Sequence, residues 1–227
     1  MNYAEVTEYF LSSKDDKLAA FTERLTPGAG KVMGLRIPFI KDFLKRNKEH
    51  AEEFTHFPVN EYYETDILIG LSYACLKIKA EEKITLIVPF VRKMTNWAVC
   101  DVTAAALKIK PADKKIWFEF AESLITEENE YAVRFGIVIM LDYFLDKEYI
   151  ERILKDIDNL NKNEYYINMA IAWLVSVAYI KQKEYTAEYL KHNKLSDFTH
   201  NTALRKIRES FRVSEEDKDF VRTLKRN

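Results

Sequence analysis

The sequence predicts an all-α fold, a solenoid or superhelix of stacked helix pairs, and three observations carry the prediction. First, only 5 Gly and 5 Pro punctuate 227 residues, of which 48% are hydrophobic. That scarcity favours long helices joined by short loops over sheets with many turns. Second, Asn60, Asn96, Asn129 and Asn163 each precede a long apolar helical stretch, at successive spacings of 36, 33 and 34 residues. Third, each stretch is followed by a more amphipathic one, at 80–93, 112–124, 147–160 and 184–192. Two helices per period of this length are the signature of an α-solenoid, in which each repeat buries its apolar face against its neighbours.

Taken in order, 4–11 and 14–25 read as short amphipathic helices broken at Ser12-Ser13. Thr26-Pro27-Gly28-Ala29-Gly30 is a turn, and 31–36 is a connection to a helix over 39–47 with Pro38 in its first turn. Gly28 and Gly30 have no third Gly, no Lys-Ser/Thr and no strand before them, so they are not a phosphate loop. Residues 1–58 form an N-terminal section, 59–195 the regular repeats and 196–227 a closing section, all within one domain spanning 1–227. The first helix of each pair is apolar nearly all round, as in Met169-Ala170-Ile171-Ala172-Trp173-Leu174-Val175. Such a helix must be covered on several sides. In the closing section Leu204, Ile207 and Phe211 recur at helical spacing, and Ser214-Glu215-Glu216-Asp217 opens a last helix running to Asn227.

Composition sets limits on function. Charged residues make up 31% of the chain with a net charge of −1. Binding to nucleic acid follows the local face and not the sum, so neutrality does not exclude it. Cys75 and Cys100 form no CxxC pattern, and the N-terminus has no basic stretch followed by an apolar one. The expectation is a reduced, cytoplasmic protein with no membrane segment; the longest apolar run, 167–180, is too short to span a bilayer. His50, His56, His192 and His200 are scattered without ligand spacing, so no metal is expected. Cys100 has no local His to activate it and reads as a buried small residue, and Trp117 reads as packing.

The stretch with chemical promise is Thr95-Asn96-Trp97-Ala98-Val99-Cys100-Asp101. With Asn96 as N-cap, Trp97 and Asp101 stand four residues apart on one helix face. A flat electron-rich ring beside a carboxylate suits a cation, and the positive end of the helix favours the ionised acid. Counting five residues on from the repeat-opening asparagines gives Asp101, Arg134 and Asn168, each polar within an apolar run. These side chains either line one surface of the stack or form an inter-repeat ladder in which Asp101 and Arg134 pair with each other. Tyr131 is assigned to a binding groove, and in the pairs Tyr62-Tyr63 and Tyr165-Tyr166 one ring is expected in the core and the other along the groove. The cations Arg205, Lys206, Arg208, Arg222, Lys225 and Arg226 either touch a polyanion or form a solvated face.

Four segments, in order and covering most of the chain, resemble the AlkD-like alkylpurine DNA glycosylases, which are built from HEAT-like repeats. Gly34-Leu35-Arg36-Ile37-Pro38 resembles that family's Gly-x-x-x-Pro segment. Trp97-Ala98-Val99-Cys100-Asp101 matches the first and last positions of its Trp-Asp-x-x-Asp element. Glu130-Tyr131-Ala132-Val133-Arg134 resembles its aromatic-x-x-Arg opening, and Ile167 to Trp173 its Ile-x-Lys-Ala-Ile-Gly-Trp segment. The resemblance implies Asp101 as catalytic carboxylate, Trp97 and Trp173 as aromatic walls, and Arg134 as a phosphate or backbone contact. It implies monofunctional excision of cationic N3- or N7-alkylpurines from double-stranded DNA containing alkylated bases, by a monomer that needs no metal or organic cofactor. The lesion would stay largely stacked, unlike the usual flipping strategy. Departures are plain: Ala98 stands for the first Asp, Met169 for a Lys, Ser176 for a basic residue, and a Lys-Arg pair is missing near Phe198. Lost cations weaken phosphate binding. The alternative function is therefore a non-catalytic module that binds unusual DNA structures or a protein partner.

Overall fold

The computed structural model describes all residues, Met1–Asn227, as an all-α chain of 14 α-helices joined by short connections. It divides into two compact units, Met1–Trp117 and Phe118–Asn227.

The first unit holds α1 (Tyr3–Ser12), α2 (Asp16–Leu25), α3 (Ile37–Arg46), the single turn α4 (Ala51–Phe54), α5 (Tyr63–Cys75), α6 (Ala80–Val91) and α7 (Trp97–Ala106). The starts of α1 and α2 follow local chemistry. Asn2 and Glu5 form a reciprocal capping box, and Asp15 accepts the Lys17 and Leu18 N–H groups. The centre of the unit is α5, buried from Tyr63 to Ala74 and packed on α3, α4, α6 and α7. Ile67, Leu68 and Ile69 are fully buried, each worth about 1.5–3 kcal/mol of transfer free energy. Close approach of α5 to α7 depends on Gly70, where an added Cβ would lie 1.9 Å from Thr103 Oγ1.

α8 (Lys114–Ile125) contains the boundary between units. The second unit continues with α9 (Glu130–Tyr143), α10 (Ile150–Asp158), α11 (Tyr165–Lys181), α12 (Lys183–His192), α13 (Asp197–Glu209) and α14 (Glu215–Thr223). Here α11 is the hub, packed on α9, α10, α12 and α13. The outer helix α10 buries Ile150, Ile153, Leu154 and Ile157, one stripe at helical spacing. In each unit the first helices of successive pairs pack side by side, α3–α5–α7 and α9–α11–α13. That is the repeat arrangement the 33- to 36-residue period predicts. No helix is long and apolar enough to cross a membrane; the apolar run 167–180 lies in α11, most of whose side chains are buried in protein.

Two of the four repeat-opening asparagines do what their position predicts. Asn96 accepts the Ala98 and Val99 N–H groups, and Asn129 those of Tyr131 and Ala132. Asn60 and Asn163 do not cap. Asn60 sits at φ 68°, where a cap's extended backbone is impossible. Its N–H goes to the Asp66 carboxylate and its amide to the Lys93 carbonyl, so α5 begins two residues later, after Tyr62. At α11 the N-cap position falls to Glu164, whose side chain makes no capping bond. The last helix ends at Thr223 and not at Asn227.

Candidate functional site

The first unit places Trp97 and Asp101 on the opening two turns of α7. Val99, Cys100, Thr103 and Ala104 face the core, while Trp97 and Asp101 are half-buried at its margin. Asn96, 1% exposed, fixes where the helix starts. The preceding loop is held from two directions. Thr95 Oγ1 donates to the Gly28 carbonyl, and Asn60 Nδ2 donates to Lys93 O at 3.0 Å. The indole Nε1–H of Trp97 donates to Leu25 O at 2.8 Å, which orients the ring against the end of α2. Gly28, at φ 84°, is required here, because a Cβ would stand 2.4 Å from Thr95 O. The turn at 26–30 is thus a bracket for the indole, a role its sequence does not announce.

The second unit places Tyr131 and Arg134 on the first turns of α9 and Trp173 deeper in α11, half-buried. Arg134 is 6% exposed and donates Nη1–H to Tyr166 O at 2.8 Å. Glu130 accepts the N–H of the same Tyr166 at 2.9 Å. One helix opening thereby grips both backbone polar groups of a residue in the next. Asn168 continues the pattern, accepting Thr199 Oγ1–H at 2.7 Å from α13. Arg134 and Asn168 each bond the helix that opens the next repeat.

Beside these bonds runs a line of rings. Tyr131 contacts Tyr166 at 5.8 Å between centroids, Tyr166 contacts Tyr165 at 5.2 Å, and Tyr165 contacts Phe198 at 6.1 Å. Tyr165 and Phe198 are 57% and 51% exposed, an unusual outlay of apolar surface. Phe198 was not among the sequence candidates; its signal is an aromatic just inside the first turn of a repeat helix, as at Tyr131 and Tyr165. In the Tyr62-Tyr63 pair, Tyr63 is buried and Tyr62 half-buried.

Other buried acids are structural. Glu64, wholly buried, accepts the N–H groups of Met33, Gly34 and Leu35 at 2.7–3.1 Å. Burial raises its pKa, while those donors pull it back. Gly34 has φ 84°, and a Cβ there would lie 2.1 Å from Asp15 O. The Gly-x-x-x-Pro segment therefore binds a loop to the core. Cys100 is fully buried and Trp117 is 3% exposed. No group of three or more His, Cys, Asp or Glu side chains is placed to hold a metal ion.

The model of the DNA alkylation repair enzyme family matches residues 6–207. The chain belongs to that family. No match to it was found among curated proteins. Membership among the DNA alkylation repair enzymes covers every candidate residue in both units, from Trp97 to Trp173.

Proposed function

We propose that the protein is a monofunctional DNA glycosylase that hydrolyses the N-glycosidic bond of cationic N3- or N7-alkylpurines in duplex DNA. The observation that carries this reading is the pair on α7: an indole oriented by its bond to Leu25 O, with the Asp101 carboxylate one turn on. Alkylation leaves the purine positively charged, and an indole face attracts such a cation by about 0.5–2 kcal/mol. As the C1′–N bond breaks, its electron pair leaves with the purine and cancels that charge. Cationic character develops on the sugar, where Asp101 stabilises it and orients the water that adds to C1′. The water proton passes to the carboxylate or to solvent. Trp97 supplies an aromatic wall beside Asp101; in the second unit Tyr131 and Trp173 offer aromatic surface to the DNA, while Arg134, tied to Tyr166 O, holds the backbone beside them. The reaction asks for no metal or organic cofactor, and the protein acts as a monomer.

The test is release of methylated purines from alkylated duplex DNA by the wild type and by Asp101→Asn. Losing one such electrostatic stabiliser lowers rates roughly 10²–10³-fold. A fall of that size with folding intact supports the assignment. Equal release by both proteins refutes the site, and no release by wild type at low salt refutes the activity. A non-catalytic DNA-binding module then becomes the better account, in keeping with the missing cations of the family segments.

A further inference from the structure

Between α13 and α14 the second unit has a cavity of about 170 Å³ lined by Asn201, Leu204, Arg205, Arg208, Val221, Arg222 and Lys225. Its floor is apolar and closed, with Leu204 3% and Val221 0% exposed. Its rim carries four cations, all exposed. Two have acidic neighbours, Arg205 with Glu209 at 4.0 Å and Arg222 with Asp219. Arg208 and Lys225 form no ion pair. Two unpaired positive charges over one small hollow cost self-repulsion unless an anion enters.

The rim is also fixed in place. Lys225 lies in the segment after α14, and the backbone is pinned on both sides of it. The buried His200 donates Nε2–H to Leu224 O at 2.9 Å, and its Nδ1 faces the Asn193 amide at 3.1 Å. Burial lowers the His200 pKa, which favours this neutral form. On the other side Asn201 exchanges two hydrogen bonds with the backbone of Arg226, both at 3.0 Å. Arg226 itself reaches back to the carbonyls of Leu195 and Asn193, at 2.6 Å each. These bonds fix the backbone on either side of Lys225. Pre-ordering the cation reduces the entropy lost when a ligand binds.

We propose that this cradle binds one phosphate group of the nucleic-acid backbone, with Arg208 as the planar donor and Lys225 as the point charge. The proposal rests on the chain's binding DNA, not on its excising a base. A phosphodiester fits the charge, while the exposed rim and small hollow suit a backbone group lying across it better than a whole nucleotide sinking into it.

The experiment is binding of undamaged duplex DNA across a salt series, for the wild type, Arg208→Gln with Lys225→Gln, and Arg208→Lys with Lys225→Arg. Each phosphate contact contributes about 0.9 to the slope of log K against log salt. The neutral double variant is expected to lose about that much slope and to bind several-fold more weakly at low salt. The charge-keeping variant is expected to retain the slope. An unchanged slope in the neutral variant overturns the proposal. Amide NMR separates the sources of phosphate. Shifts at Leu204 and Val221 on adding duplex, reproduced by inorganic phosphate, support a backbone site; shifts with inorganic phosphate alone overturn it. Loss of purine release with the salt dependence intact would remove the glycosylase reading and leave this site standing.

Discussion

Gly70→Ala, the addition of one methyl group, tests how the fold sets the position of Asp101. On an exposed helix the change would stabilise by about 1 kcal/mol, since Gly is a poor helix former. At Gly70 the new Cβ would lie 1.9 Å from Thr103 Oγ1, 3.0 Å from its Cβ and 3.2 Å from its Cγ2. Thr103 is fully buried on α7 and cannot turn away into solvent. Overpacking a core by one methyl costs about 1–3 kcal/mol, so after the propensity gain a net destabilisation of up to about 2 kcal/mol is expected in urea unfolding. The displaced helix carries Asp101 two residues before Thr103, so purine release should fall further than stability alone explains. The Thr103 hydroxyl has no hydrogen-bond partner. Thr103→Ala therefore removes a burdened group as well as the clash. The double variant should be more stable than Gly70→Ala alone, with a coupling energy of about 1–3 kcal/mol. Additive effects, or a Gly70→Ala protein more stable than wild type, would refute the account of this crossing.

Asp66 gives a pH signature. Burial, with Glu61 adding to it, pushes its pKa up to about 7 against the backbone bond from Asn60. A carboxyl group raised in the folded state stabilises most below its unfolded pKa, near 4, and that contribution is lost as pH rises to about 7. At about 1.4 kcal/mol per pH unit the loss is at most about 4 kcal/mol. Asp66→Asn keeps an acceptor for the Asn60 N–H without the charge, so its stability relative to wild type should climb between pH 4 and 7; a flat difference would sink the argument. Asn96→Ala removes the cap of α7 from a site water does not reach, costing about 1–2 kcal/mol. Asn96→Asp should keep most of that stability, and equal urea midpoints for Asn96→Ala and wild type would show that the cap is dispensable.

What the sequence discloses and what it conceals divide along the range of the interactions involved. The helix pairs, the buried first helices and the caps at Asn96 and Asn129 follow from periodicity and from bonds spanning two or three residues. Asn60 and Asn163 have the same composition signal but not the same role, because Asn60 is committed to partners 6 and 33 residues away. The Trp97–Asp101 pair is legible, being four residues apart on one helix. The bond from Trp97 to Leu25 O spans 72 residues, and the grip of Glu130 and Arg134 on Tyr166 spans 36 and 32. No local pattern encodes those.

The same constraint explains where the candidate residues lie. A repeat helix that packs against both neighbours and its own partner is buried nearly all round, as α5, α9 and α11 are. Its start leaves the core, and its N-terminal N–H groups need partners from outside the helix. The groups that supply or hold those partners, Asn96 for α7, Asn129 for α9 and Glu130 for the first turn of α11, fix the adjacent side chains as well. Trp97, Asp101, Tyr131 and Arg134 therefore stand where the fold must already spend hydrogen bonds on rigidity, and pre-organisation of charge and ring comes with capping. Trp173, two turns deeper in α11, lacks that support. Half-buried and away from those capping bonds, it is the candidate aromatic whose replacement by a smaller ring should be tolerated best.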